Sequence, residues 1–162
     1  DTPMFVGKSW VDFDSGEETP AEISISEVLA DTEVMKASAE AAAEVDAQVA
    51  ILKKEIGLTD DEIIPVPFLH TTYAGKSAAY QPGTVNGIYI SDTRFGAPDP
   101  HGPTIDGKDI FKTALSAPLA KIGVTVDFIE DWDDYHLGIG EVHCGTNSTR
   151  TIPEQRWWES GR

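Results

Sequence analysis

One cysteine, Cys144, stands in a chain of 162 residues, inside the run Gly140-Glu141-Val142-His143-Cys144-Gly145-Thr146-Asn147. Glycines and polar residues around it suit a tight exposed loop, and loops held by a scaffold are where reactive side chains are displayed. Cysteine is an effective covalent nucleophile, so the run reads as a candidate for thiol catalysis. The ordinary alternative is a buried thiol acting as a small hydrophobe. Few nearby groups can help it. His143 is adjacent, and neighbouring side chains in extended chain point apart. His136 with Asp133 or Asp134 would complete a local set, but a structural hydrogen bond is the commoner role for such a histidine. Residues 131–134 read as a solvated turn rather than a metal loop. His101, in a stretch rich in Gly and Pro, reads as a surface hydrogen-bonding group rather than a base. Cys144 is therefore the one catalytic residue assigned, with substrate-binding residues unassigned and no metal ligand identified.

The octapeptide resembles the nucleophile segment of the pentein superfamily, whose members modify guanidinium groups, and in particular the end of the protein-arginine deiminases. The likeness continues into Arg156-Trp157-Trp158 and runs back through Tyr135-His136, residues 125–131 and Val85-Asn86-Gly87. Leu52-Lys53-Lys54-Glu55-Ile56-Gly57-Leu58 followed by Asp61-Glu62-Ile63-Ile64-Pro65-Val66-Pro67 looks like the family's helix, turn and strand at the matching distance from the cysteine. The resemblance covers about residues 37–158. It implies an α/β fold of α+β modules, the C-terminal portion of a five-module αβ-propeller. Residues 1–162 would all belong to that catalytic domain, with residues 1–30 an irregular lead-in and about 31–158 the matched region.

The activity so implied is hydrolysis of arginine side chains in proteins or peptides to citrulline and ammonia. In the family a thiolate attacks the guanidinium carbon, two Asp side chains grip the planar cation, and a His serves as acid and base. Cys144 matches the nucleophile by position. The other three groups lie in Trp-x-x-Asp and His-x-Asp segments, and this sequence holds neither. Trp10-Val11-Asp12 has the wrong spacing, and no His is followed two residues on by Asp. The expectation is a nucleophile half, the C-terminal fragment of a longer precursor, inactive without an N-terminal fragment that carries the catalytic Asp, His and Asp. Calcium is the cofactor the resemblance implies, with no ligand identified in this chain. Where some members place Arg and His just before the octapeptide, this chain has Leu137-Gly138-Ile139, which lacks side chains that contact the substrate backbone. Two other readings stand beside this one: a deiminase or amidinotransferase for small guanidines, and a non-catalytic pentein-like binding protein.

Charge agrees with a cationic substrate. The chain carries 28 acidic residues against 12 Lys and Arg, a net charge of -16, which argues against nucleic acid or an anionic membrane surface as partner. No run approaches the ~20 apolar residues of a membrane span. A lone cysteine cannot close an internal disulfide, so the usual sign of an oxidising compartment is missing. Asp1-Thr2-Pro3 reads as a processed start, from a removed signal peptide or a cut longer chain; localisation is left unknown, with secretion slightly favoured over the cytoplasm.

The elements that must position Cys144 follow from periodicity. Residues 33–56 read as the clearest helix, with Asp31 or Thr32 as cap, Gly57 as terminator, and Val45, Val49, Leu52 and Ile56 as a stripe expected to pack in the core. Thr59 and Glu62 have capping-box spacing. Residues 63–69 read as extended, with Pro65 and Pro67 confining them to an edge. Residues 70–81, with Tyr73, Lys76 and Tyr80, read as a polar loop, residues 85–91 as a strand and residues 94–102 as a long irregular excursion. Asp106 is expected to cap a helix from about Gly107 that Pro118 breaks or kinks before Gly123, with a strand at 124–129. Residues 1–25 read as surface, with Met4-Phe5-Val6 as a short strand and Trp10 and Phe13 docked on the body. The cadence is that of mixed αβ modules.

Overall fold

The computed structural model describes residues 1–152 together with Glu154, Arg156 and Glu159. Trp157 and Trp158, part of the sequence likeness, lie outside the described residues. The architecture is mixed α/β, with three α-helices and five small sheets among the described residues.

Residues 1–30 are more regular than a lead-in. Strand β1 (Pro3–Met4) pairs antiparallel with β4 (Ile23–Ser24), and β2 (Ser9–Val11) with β3 (Glu18–Pro20). Helix α1 (Ile25–Ala30) starts with a capping box in which Ser24 and Glu27 exchange side-chain and backbone hydrogen bonds. This region places Met4 and Phe5 in the main core beside Val28, Val34, Phe111 and Trp132. Trp10 docks there as expected, its ring 4.8 Å from that of Trp132. Phe13 does not: it is exposed, carried outward by the turn between β2 and β3.

Helix α2 (Thr32–Ile56) is capped by Asp31, whose Oδ1 accepts the N–H groups of Glu33 and Val34 at 2.9 and 3.0 Å. It ends at Gly57 in the left-handed conformation, φ 73°. Its expected core stripe is a correction. Val45, Leu52 and Ile56 are 50%, 46% and 55% exposed, and only Val34 and Ala37, near the start, are buried. The helix outruns the body on which its first turns pack, so beyond Ala37 its apolar face is only partly covered, with Val45 and Val49 lining a groove shared with residues 63–68. Next comes a 3-10 turn, Asp60–Glu62, where the Glu62 carboxylate accepts the Thr59 N–H at 2.9 Å.

Other expectations are corrected too. Residues 63–69 form no strand; the pairing starts at β5 (His70–Tyr73), which makes a hairpin with β6 (Lys76–Ala79) where a polar loop was expected. Its turn, Ala74-Gly75, has positive φ at both residues, the geometry of a tight two-residue hairpin. Residues 94–102 begin not as an irregular excursion but as β8 (Arg94–Pro98), the middle strand of a sheet ordered β11-β8-β7, with β7 at Ile88–Ser91 and β11 at Thr125–Ile129. Gly96 and Ala97 are buried there, Gly96 beside Ile90 and Ile129 and Ala97 beside Leu115 and Leu119, so small residues suit the strand rather than break it. Asp106-Gly107, both at positive φ, turn a hairpin between β9 (Thr104–Ile105) and β10 (Lys108–Asp109). The cap of α3 (Ile110–Lys121) is instead Asp109, whose Oδ1 accepts from Phe111 and Lys112 at 2.8 and 3.0 Å. The helix runs unbroken through Pro118, its apolar side held by burial of Phe111, Leu115 and Leu119.

Strands β8 and β11 pair in parallel, in register from Arg94 with Thr125 to Pro98 with Ile129. Parallel neighbours need a crossover, and α3 supplies it. Leu115 and Leu119 of α3 pack with Ala97 of β8 and Val124 beside β11 in a second core cluster. The end of β11 thus points the chain into residues 131–145.

Candidate functional site

After β11 the chain makes two linked turns. The Asp131 carbonyl accepts the N–H groups of Tyr135 and His136 at 2.9 and 3.0 Å, and a 3-10 turn follows over His136–Gly138. Ile139 then takes the left-handed conformation, φ 62°, which is unfavourable for a β-branched side chain and stores local strain of ~1–2 kcal/mol. Gly140 follows, and the Glu141 carbonyl accepts the N–H groups of Cys144 and Gly145 at 2.9 and 3.3 Å. Cys144 is exposed at the tip of this second turn.

The buried floor is aromatic and acidic. Trp132 is fully buried, donates its indole N–H to the Ser9 carbonyl at 2.9 Å, and lies with its ring 4.9 Å from that of His136. His136 Nδ1 is 3.0 Å from Glu141 Oε1, the structural hydrogen bond expected of it, rather than a partner for the thiol. Asp131 and Glu141 are both buried. Burial first, and then the charge of Glu141 beside it, pushes the Asp131 carboxyl up to about 7, with the Val142 amide opposing. Asp133 and Asp134 are exposed and His143 is exposed. His101 bonds Glu130 Oε1 at 3.2 Å, remote from a catalytic role.

One residue reaches the thiol that side-chain reasoning did not single out. Asn86 approaches from the segment before β7: its Nδ2 donates to Cys144 Sγ at 3.8 Å, and its carbonyl accepts the His143 N–H at 3.0 Å. The turn is therefore pinned from outside as well as from within. Gly87 makes this approach feasible, since a Cβ there would sit 2.0 Å from the Gly96 carbonyl oxygen on β8. The only signal for Asn86 in the sequence was its place in Val85-Asn86-Gly87.

Asn86 also lines a groove of about 960 Å³ between α2 and residues 63–68, with Val45, Val49, Ile64, Pro65, Val66 and Val85 along it. The groove is mostly apolar, and Asn86 is the residue it shares with the thiol's surroundings.

A family model described as protein-arginine deiminase matches residues 2–159, reaching further toward the start than the likeness visible from about residue 37. The chain belongs to the protein-arginine deiminase family. It is 34% identical to protein-arginine deiminase type-3 of Rattus norvegicus over 136 residues, 84% of this chain and 20% of that protein. Against protein-arginine deiminase type-1 of Homo sapiens it is 34% identical over 141 residues, 85% of this chain and 21% of the relative. Protein-arginine deiminase type-4 of Rattus norvegicus is 32% identical over 140 residues, 83% of this chain and 21% of that protein. The chain thus spans about a fifth of the length of these deiminases. A calcium site needs six to eight oxygen ligands. Among the described residues no three His, Cys, Asp or Glu side chains come together to hold an ion.

Proposed function

We propose that this chain supplies the nucleophile, Cys144, of an enzyme that hydrolyses arginine side chains of proteins or peptides to citrulline and ammonia. The observation that carries the reading is an exposed thiol, at the tip of a turn pinned by Asn86, in a chain of the deiminase family. The Sγ thiolate would attack the guanidinium carbon, and a proton from an acid–base His would leave with ammonia, giving a thiouronium. The same His would take a proton from water, whose oxygen displaces Sγ, so that citrulline leaves and the thiolate returns. The substrate's own cation favours the thiolate, and the -16 charge of the chain favours its arrival.

The His and two Asp groups of that scheme come from outside these residues, because neither Trp-x-x-Asp nor His-x-Asp is present. The exposed apolar stripe of α2 and the groove that Asn86 lines are the surface on which the remaining catalytic polypeptide packs, completing a five-module propeller. Any calcium ligands belong to that remainder. Leu137-Gly138-Ile139 presents no cation or imidazole to a peptide backbone, which favours relaxed discrimination between peptide arginine and free arginine.

The test is citrulline formation from an arginine peptide and from free arginine, by the assembled enzyme and by this chain alone. Cys144→Ser is expected to fold and to lose ~1000-fold or more in rate, since a hydroxyl is a far poorer nucleophile than a partly ionised thiol. A folded Cys144→Ser enzyme with more than a tenth of the activity overturns the assignment. Turnover by the 162-residue chain alone overturns the need for outside catalytic groups.

A further inference from the structure

Three buried side chains under the Cys144 turn take no part in the chemistry above. His136 and Glu141 are joined at 3.0 Å with side chains 3% and 5% exposed. Glu141 Oε2 and both Asp131 oxygens are buried and meet no donor in hydrogen-bond geometry among the described residues. The Asp131 and Glu141 carboxyls are both buried beneath the same turn, near enough for the charge of one to act on the other. Two ionised carboxylates cannot donate to one another, and in a buried site their repulsion is large. A single proton between them turns that repulsion into a charge-assisted O–H···O bond.

The same two residues root the two turns. The Asp131 carbonyl holds Tyr135 and His136, and the Glu141 carbonyl holds Cys144 and Gly145. A side-chain link between Asp131 and Glu141 therefore fixes the spacing between the root of the first turn and the root of the second. We propose that Asp131 and Glu141 share one proton beneath the Cys144 turn and, with His136, act as positioning residues that hold the thiol in register. This rests on Cys144 being the nucleophile.

The other charged groups facing the pair are few. Glu130 precedes it and is engaged by Lys8 at 2.7 Å and by His101. Burial opposes ionisation of Glu130, but Lys8, the Trp132 amide and His101 hold its carboxyl below the ordinary value, so it stays charged near neutrality and adds to the push on Asp131. The shared proton is thus the labile one. The folded carboxyl keeps it to higher pH than an unfolded Asp does. Stability from this group is greatest at or below about 4, falls as pH rises towards about 7, and is level above that. The register of the turn weakens over the upper part of the same window.

Asp131→Asn tests this in the assembled enzyme, because its amide is a permanent donor to Glu141. It is expected to keep kcat within about 3-fold of wild type near pH 6 and to lose the wild type's decline between about pH 6.5 and 8.5. Asp131→Ala, which leaves Glu141 without a partner, is expected to lower kcat ~10-fold or more at both ends of that range, with KM moving less than ~3-fold. In melting curves, wild type should lose stability relative to Asp131→Asn as pH rises from about 5 to 7.5. Equal impairment of the two variants, an unchanged alkaline decline in Asp131→Asn, or parallel melting profiles would each overturn the shared proton. An active Cys144→Ser enzyme would overturn the nucleophile reading alone, because the melting comparison needs no turnover.

Discussion

Gly145, directly after the thiol, is where a single methyl group should cost most. A Cβ built there would sit 2.3 Å from Tyr135 Cζ and 2.6 Å from both Cε1 and the hydroxyl oxygen. Carbon atoms prefer ~3.5–4.0 Å, so Gly145→Ala overlaps the ring by more than ~1 Å and something must move. Tyr135 is 41% exposed, which leaves two routes. If the ring swings out, losing ~50 Å² of apolar contact, the cost is ~1 kcal/mol at ~25 cal/mol per Å². If the turn gives way instead, its N–H contacts to Glu141 and Val142 at 3.3 and 3.2 Å stretch and Cys144 moves with it. A displacement of ~1 Å at a reacting group costs up to ~100-fold in rate. Because the ring and the turn are both anchored to residues 131–145, the displacement is expected to be shared. Gly145→Ala should therefore lose ~1–2 kcal/mol of stability and ~10-fold or more in kcat. The assay is a double-mutant cycle in the assembled enzyme, reading urea midpoints and citrulline formation. Tyr135→Ala removes the obstructing ring, so adding Gly145→Ala to it should cost almost nothing further, a coupling of ~1 kcal/mol or more. Additive effects would refute the steric account of this glycine.

Trp132→Ala should cost ~3–5 kcal/mol in chemical denaturation, since it empties a fully buried site ringed by Phe5, Trp10 and His136 and leaves the Ser9 carbonyl without its indole donor. A loss below ~1 kcal/mol would show that the ring does not support the turn above it. With a net charge of -16, kcat/KM for an arginine peptide should fall as salt rises while kcat at saturation stays nearly constant. A flat response from low to physiological salt would leave the charge with no role in drawing in the substrate.

What was legible in the sequence was what local chemistry decides. Asp31, Gly57 and the Thr59/Glu62 pair announce their helix boundaries because each satisfies backbone groups within four residues of itself. Cys144 stood out because it is unique and set among glycines. The misreadings came where distant chain decides. Gly96 and Pro98 look like loop formers, yet β8 lies between β7 and β11, where small side chains fit and its final Pro sits at the strand end. Asp106 looks like a helix cap, yet with Gly107 it is better suited to a tight hairpin, and Asp109 takes the cap. Asn86 is 58 residues from Cys144, and no periodicity links two residues so far apart.

The distribution of burial supports the proposal that another polypeptide completes the surface around this turn. Below Cys144 the chain supplies its own support: Met4 and Phe5 from the start, Val28 and Val34 from α1 and α2, and Trp132 from the turn itself close one core. Beside Cys144 it does not. The stripe on α2 has the helical spacing of a core face, and an apolar face at that spacing is stable in water only when something covers it. Within the described residues Val45, Leu52 and Ile56 are left about half exposed. Val45 and Val49 of the stripe line a groove that Asn86 also lines, and Asn86 touches the thiol. A polypeptide seated in that groove would bring its own side chains to Cys144, while the turn, pinned from below and from Asn86, would keep its shape as the partner surface closed over it.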